Sequence, residues 1–522
     1  MALVNFITRD GTVIIRHTPE AAAILSHAEQ REYNGHNLLV VPHGLQESKV
    51  LRNLGYPVMS PVALQEKFSG VFQPYEHQKD TASFLTLHNK CLCLNDMGTG
   101  KTAASLYAID YLIKVGEVKS VLIAAPLSTL ESVWGDEVFK VTPHITCTVV
   151  TGGREKKDKL LQSGATIHVV NHDALKFMEA EIATLNPDLI IIDEASMFRT
   201  ASASRYKSLD RLGRKAKRLW LFTATPIPKA PTDAWALARL VNPKTPPYFK
   251  AFQRMVMDQI STYKWVPKAD ANKTAFEFLT PAIRYKKSDC LDLPPVTYVD
   301  IKVPMTAKQT EVYKKIQSSM LMRNDDGTTI TAVNAAVKML KLLQVSAGGV
   351  YDDDHTFQDV GTEQRIDVVA DLVERTNNKV IVFVPFKMLM HTLVGALVDK
   401  HGLTVSMVNG DVSAGKRRDI FHDFMQPNGA KVLVAHPATT SHGLTLTAAD
   451  TVIWFAPTVS ADHYIQANNR ADRPGQKNNV TIYSLYATAL EKQWYSAVHD
   501  KRVKQDDLLA MYSEALKEVI SI

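Results

Sequence analysis

The chain has 522 residues and a mass of 58.0 kDa, enough for two or three domains with substantial cores. Hydrophobic residues at 45% and charged residues at 22% form an ordinary globular balance that argues against long disordered tracts. A net charge of +6 and a pI near 8.8 suit a partner rich in phosphate without demonstrating one, because charge reports partners only loosely.

The opening residues, MALVNFITRDGTVIIRH, lack a basic region followed by a sustained apolar core, so no signal peptide is expected. Residues 1–70 read as a small α+β appendage. Short β-like runs (Leu3 to Thr8, Thr12 to Arg16, Asn37 to Val41) surround a helical stretch from Pro19 to Arg31. Over 71–245 apolar strand-like runs alternate with helical segments: Lys90 to Leu94, Ser120 to Ala124, Thr166 to Val170, Leu189 to Ile192 and Arg218 to Phe222. Such alternation predicts a parallel sheet with helices on both faces. These runs are far short of a membrane span, so no membrane partner is expected.

Residues 246–300 carry many prolines and aromatics and read as a helical insertion or linker. Apolar residues return at helical spacing from Lys308 to Leu343. Strand–helix alternation resumes at Lys379 to Val384, Thr404 to Val408, Lys431 to Ala435, Thr451 to Phe455 and Val480 to Leu485, giving a second α/β lobe over 301–490. A helical extension is expected over 491–522. Of the four cysteines, Cys91 and Cys93 alternate within an apolar run and fit a buried strand. No second pair has zinc-ligand spacing, and the usage implies a reducing, soluble compartment.

Two segments carry chemistry. After the Lys90 strand comes Asn95-Asp96-Met97-Gly98-Thr99-Gly100-Lys101-Thr102, followed by a helix from Ala103 to Lys114. Glycines let backbone N–H groups wrap a phosphate. Lys101 would then neutralise the β/γ-phosphates and Thr102 offer a hydroxyl to Mg²⁺. The first glycine of the general phosphate-loop pattern is Asn95 here. Downstream, the apolar run from Leu189 ends in Asp193-Glu194, a pair suited to holding the metal (Asp193) and polarising the attacking water (Glu194). Taken alone, the pair could equally be acids at a helix N-terminus. Arg470 and Arg473 stand three apart, on one face if the segment is helical, and otherwise read as a solvated basic surface.

In combination these segments resemble superfamily-two helicases, and in particular the Swi/Snf-like branch. Asp193-Glu194-Ala195-Ser196 resembles the Walker B box. Gln78 in Pro-Tyr-Glu-His-Gln resembles the adenine-reading glutamine, Ala125-Pro126-Leu127 the strand-contacting motif Ia, and Leu221 to Pro228 the coupling motif III, with Thr223 and Thr225. Gln466 to Gln476 is close to motif VI of the Swi/Snf-like branch, and His436 to Leu444 looks like motif V, with departures at His436 and Thr439 to His442. The resemblance spans roughly 72–490.

It implies two tandem RecA-like parallel-sheet lobes with helical insertions. ATP would lie on Gly98, Thr99, Gly100, Lys101 and Thr102, with Gln78 and Gln466 as further nucleotide contacts and Thr102 and Asp193 holding Mg²⁺. Catalysis would fall to Lys101, Asp193, Glu194, Arg470 and Arg473, and nucleic-acid contacts to Pro126, Thr439, Thr440 and Gly443. The implied activity is ATP-driven movement on duplex, forked or branched DNA, with RNA less favoured and DNA-bound proteins as possible substrates. A strand-separating or branch-migrating helicase is the alternative, and a nucleotide-binding scaffold without enzymatic activity the rival from another class. The compact insertions look like bacterial or bacteriophage members, hence a cytoplasmic setting, that of the bacterial host if phage-encoded. Residues 1–70 could recognise a DNA structure, recruit a partner or brace the first lobe.

Overall fold

Among the described residues, alternating and continuous apolar runs become the strands of three main sheets, beside two two-stranded ones. The computed structural model describes residues 5–7, 11–64, 68–228, 230–262, 264–291, 293–322, 332–351, 357–440 and 445–499. The chain divides into two compact units, Met1–Cys290 and Leu291–Ile522.

The first unit opens with an antiparallel sheet in the order Asn5–Ile7, Thr12–Arg16, His36–Pro42, Glu29–Tyr33. Val13, Ile15, Leu39 and Val41 alternate inward onto Leu25, Leu51 and Tyr56 to form its own small core. The helix expected from Pro19 to Arg31 stops at Ile24, and Glu29–Tyr33 is a strand instead. The reason is the two-residue turn Asn34-Gly35, where both residues have positive φ (48° and 72°) and Tyr33 pairs with His36. That geometry is the tight hairpin turn that Asn-Gly favours, and it draws the preceding residues into a strand.

The main sheet of this unit is parallel throughout. Its order is Ala282–Ile283, Lys90–Cys93, Arg218–Phe222, Leu189–Ile192, Val121–Ala125, Ile167–Asn171, Cys147–Val149. Leu189–Ile192 and Val121–Ala125 are buried at every position, as a strand covered by helices on both faces must be. Cys91 and Cys93 lie in the Lys90 strand, and burial pushes the Cys93 thiol up to about 11. Ala282–Ile283 hydrogen-bonds to the far side of that strand, so material after residue 245 closes one edge of the sheet.

The second unit has a six-stranded parallel sheet among the described residues, ordered Val296–Lys302, Val480–Tyr486, Ala449–Trp454, Lys379–Phe383, Val432–Ala435, Val405–Val408. Its first strand begins before residue 301. Helices Ala307–Met322 and Ala332–Ala347 precede the alternating part. Of the expected extension over 491–522, the helix Ala489–His499 is seen and residues 500–522 lie outside the described residues. Among the described residues no helix is long and apolar enough to cross a membrane.

Candidate nucleotide site and its partners

Register in the first unit's sheet brings the candidate residues to one edge. Phe222 is opposite Cys93, Leu221 opposite Ile192, and Ala124 opposite Ile192. The residues that follow, Asn95 to Gly100, Thr223, Asp193 and Pro126, therefore leave the carboxyl ends of neighbouring strands. Open parallel sheets bind ligands at that edge.

The loop after Cys93 is shaped before any ligand arrives. Gly98 and Gly100 have φ of 82° and 78°, and a Cβ on Gly100 would come within 2.1 Å of the Gln78 amide nitrogen. Gln78 accepts from the Tyr75 N–H (3.0 Å) and donates to the Thr99 carbonyl (3.2 Å), which the His77 ring also meets at 2.8 Å. Gln78 is thereby held against the glycine loop. Helix Lys101–Lys114 starts at the end of the loop, so its first N–H groups are directed towards it. Lys101 Nζ donates to the carbonyls of Asn95 (2.8 Å) and Asp96 (3.1 Å), and Thr99 Oγ1 to Asp96 O (2.8 Å). Thr102 is the helix's second residue and is half-buried.

Asn95, the departure from the usual glycine, bridges two elements. Its Nδ2 donates to Thr81 Oγ1 (2.9 Å) and its Oδ1 accepts from the Tyr285 N–H (2.9 Å). Asp96 N–H donates to Tyr285 O (2.9 Å), Lys287 N–H to Asp96 Oδ2 (3.1 Å), and Tyr285 OH to Asp80 Oδ2 (2.6 Å). Burial, reinforced by that carboxylate, pushes the Tyr285 phenol up to about 12. A glycine at 95 could supply neither side-chain bond.

Asp193 follows the buried Leu189 strand. Its Oδ1 accepts from the Glu194 N–H (3.0 Å), its Oδ2 from Trp134 Nε1 (3.1 Å), and its carbonyl from His172 Nε2 (2.8 Å). Burial holds the His172 imidazole below its ordinary pKa, which favours the neutral ring. Glu194 takes a left-handed φ of 49°, a conformation a non-glycine residue adopts at some cost, and it turns the chain sharply after the strand. Thr223 Oγ1 accepts from the Thr225 N–H at 3.2 Å. Pro126 leads into a short 3₁₀ turn, with Thr129 donating to its carbonyl at 2.9 Å.

The second unit corrects two expectations. Helix Ala461–Asn468 ends before the arginines, so Arg470 stands in a turn and Arg473 in a bend, not on a helical face. Pro474 disfavours helical backbone at residue 473. Arg470 is only 3% exposed, its carbonyl accepting from Leu446 N–H (2.9 Å), while half-buried Arg473 donates from Nε to Asn469 O (3.1 Å). Gln466 lies within the helix. Gln476 is structural: its amide nitrogen staples the carbonyls of Ala449 (2.9 Å) and Ala471 (3.1 Å). Thr440 is fully buried and donates to Pro437 O at 3.0 Å, so its hydroxyl braces the turn and offers no surface to nucleic acid. Thr439 Oγ1 donates to His436 O at 2.7 Å. Gly443 lies outside the described residues.

The SNF2-related domain matches residues 23–347, and the helicase conserved C-terminal domain matches 364–475. The chain belongs to the SNF2-related family. The two parallel sheets are its tandem RecA-like lobes, and the matched domains are those of a helicase-type ATPase. SWI/SNF-related matrix-associated actin-dependent regulator of chromatin subfamily A-like protein 1 of Xenopus laevis is 23% identical over 84% of this chain and 44% of its own length. The chain thus spans less than half of that relative. Protein p41 of Acyrthosiphon pisum secondary endosymbiont phage 1 is 25% identical over 81% of this chain and 94% of its own length, so the likeness extends over nearly the whole of a phage protein. DNA annealing helicase and endonuclease ZRANB3 of Bos taurus is 24% identical over 81% and 39%. Among solved structures, the Sulfolobus solfataricus SWI2/SNF2 ATPase core in complex with dsDNA is 21% identical, covers 87% of this chain and 97% of that one, and has a TM-score of 0.41.

Trp134, His172 and Tyr285 were missed in the sequence. Each acts through a partner distant along the chain, and no local pattern marks it.

Proposed function

We propose that this SNF2-family chain is a DNA-stimulated ATPase that moves along duplex, forked or branched DNA. The carrying observation is the convergence of the glycine loop, Lys101 and the Asp193-Glu194 pair on one edge of a single parallel sheet. Backbone N–H groups around Gly98 to Thr102 cradle the phosphates, and Lys101 exchanges its loop carbonyls for phosphate oxygens. Gln78 reads adenine, with Gln466 as a further nucleotide contact.

The Thr102 hydroxyl and the Asp193 carboxylate are hard oxygen donors, and each Asp193 oxygen keeps a lone pair beyond its single N–H partner, so the pair suits Mg²⁺. When bound, the metal supplies charge neutralisation at the phosphates. Glu194 accepts a proton from water as its oxygen bonds to the γ-phosphorus and the bond to the bridging oxygen breaks, releasing ADP and phosphate. Arg470 and Arg473 are assigned to the charge that develops on the transferred group. Thr223 and Thr225 couple turnover to movement. Pro126, Thr439 and Gly443 are assigned to the DNA backbone, which makes binding largely independent of sequence.

A relative named as a DNA annealing helicase favours forked or branched DNA over simple strand separation. The phage relative favours work in the cytoplasm of a bacterial host. The test is the ATPase rate with no nucleic acid, duplex, single-stranded or forked DNA, and RNA. Duplex or forked DNA should stimulate most. Stimulation by RNA alone contradicts the DNA assignment, and hydrolysis under no condition favours a scaffold.

A further inference from the structure

Trp134 is fully buried, in a π-helical turn, Leu130–Gly135, that begins four residues after Pro126. Such turns carry an extra residue per hydrogen-bonded ring and are frequent at functional sites. The one polar atom of its side chain donates to Asp193 Oδ2 at 3.1 Å. The Glu194 N–H holds Oδ1 at 3.0 Å, while the Asp193 N–H donates to Ala124 O at 2.9 Å and its carbonyl receives His172. Main chain and carboxylate are thus fixed independently, the carboxylate by the Glu194 N–H on one oxygen and by Trp134 on the other.

We infer that Trp134 is a positioning residue: its indole N–H aims the Asp193 carboxylate, and so ties the metal-side group to the segment that follows Pro126 and Leu127. Leu127 is 72% exposed, so this segment runs from solvent to the buried indole within eight residues. The inference rests on the reading of Asp193 as the Mg²⁺ carboxylate. A tryptophan that merely fills the core would still need a partner for its N–H, but its loss would not alter metal-dependent behaviour.

The experiment is anisotropy of N-methylanthraniloyl-ADP with the full chain, in EDTA and across a Mg²⁺ titration, for wild type, Trp134→Phe, Asp193→Asn and the double variant. Wild type should bind more tightly as Mg²⁺ rises. Trp134→Phe should match wild type in EDTA yet require about tenfold more Mg²⁺, the size of loss typical when a partner of a metal ligand is removed. The double variant should be no worse than Asp193→Asn alone. If the phenylalanine variant folds poorly, benzothienylalanine at 134 keeps the bicyclic volume without the N–H and should give the same shift. A Mg²⁺ titration of either variant that superposes on a responsive wild type overturns the inference alone. A wild type indifferent to Mg²⁺ overturns the reading of Asp193 with it.

Discussion

The two lobes hold their candidate residues by different means. In the first, Lys101, Gln78, Asn95 and Asp193 each engage named protein partners at the ends of aligned buried strands. In the second, Arg470 stands in a turn and Arg473 in a bend with its Nε on Asn469 O, and a buried ion pair orders the core. There Arg365 and Glu491, 2% and 0% exposed, form an ion pair at 2.8 Å. Arg365 also donates to the carbonyls of Phe455 and Leu485, and Glu491 accepts from the N–H groups of Ala487 (2.7 Å) and Thr488 (3.0 Å). Trp454, Tyr464, Trp494 and Tyr495 pack nearby, with Trp454 Nε1 on Asn468 Oδ1 at 2.8 Å, at the end of the helix that leads to the arginines. The first lobe is therefore vulnerable to loss of single polar atoms at its edge, and the second to damage in its core.

The largest effect should come from the edge of the first lobe. Lys101→Ala and Glu194→Gln should each lower ATP turnover by roughly 10²–10⁴-fold, the range for removal of a general base or its electrostatic equivalent. Melting temperature should stay close to wild type, which separates chemistry from folding. In the second lobe the order reverses. Glu491→Gln leaves Arg365 buried and unpaired and should cost about 3–5 kcal/mol in urea unfolding, whereas replacing both partners by hydrophobic residues of similar volume should recover much of that loss. Retention of full stability by Glu491→Gln would remove the contrast between the lobes.

Asn95→Ala should have an intermediate effect. It leaves the Tyr285 N–H without its acceptor and removes the donor to Thr81 Oγ1, which still donates to His77 O; this costs about 1–3 kcal/mol and should raise the KM for ATP more than it lowers kcat. Tyr285→Phe, which loses only the bond to Asp80, should cost about 1 kcal/mol or less. The smallest effect is one of pH. Burial is the main cause holding His88, His168, His172, His436 and His463 below their ordinary pKa. The unfolded chain therefore takes up protons near pH 6.5 that the folded chain refuses. Stability should be complete above that pH and fall as pH drops below it, seen as a lower melting temperature at pH 5.5 than at 7.5. A steeper fall for the first lobe's transition, which contains His88, His168 and His172, would sharpen the comparison.

Much of this was legible in the sequence, for physical reasons. Fully buried parallel strands such as Leu189–Ile192 must be continuously apolar, so they stand out. The phosphate loop is recognisable because strand, glycines, lysine and helix are contiguous. Among the strands that escaped are Glu29–Tyr33, exposed at every position, and Cys147–Val149, Ala282–Ile283 and Val296–Lys302, which sit at sheet edges, where short or mixed polar runs suffice; the three-residue strands of the two small hairpins, Met257–Gln259 with Trp265–Pro267 and Gly349–Tyr351 with Phe357–Asp359, escaped as well. The hydrogen-bond partners were invisible because folding alone brings them together. Trp134 and Asp193 are 59 residues apart, and Asn95 and Tyr285 are 190 apart. A shared face for Arg470 and Arg473 required a helical segment, and that condition is not met, because the preceding helix ends at Asn468 and Pro474 follows.

The most direct test of the central claim is ATP-dependent displacement of a third strand bound to duplex DNA, beside unwinding of a plain forked duplex, by the wild-type chain and Glu194→Gln. The account predicts displacement of the third strand by wild type, none by Glu194→Gln, and little separation of the underlying duplex strands. Hydrolysis stimulated by DNA without any displacement would contradict movement along DNA as the purpose of the site.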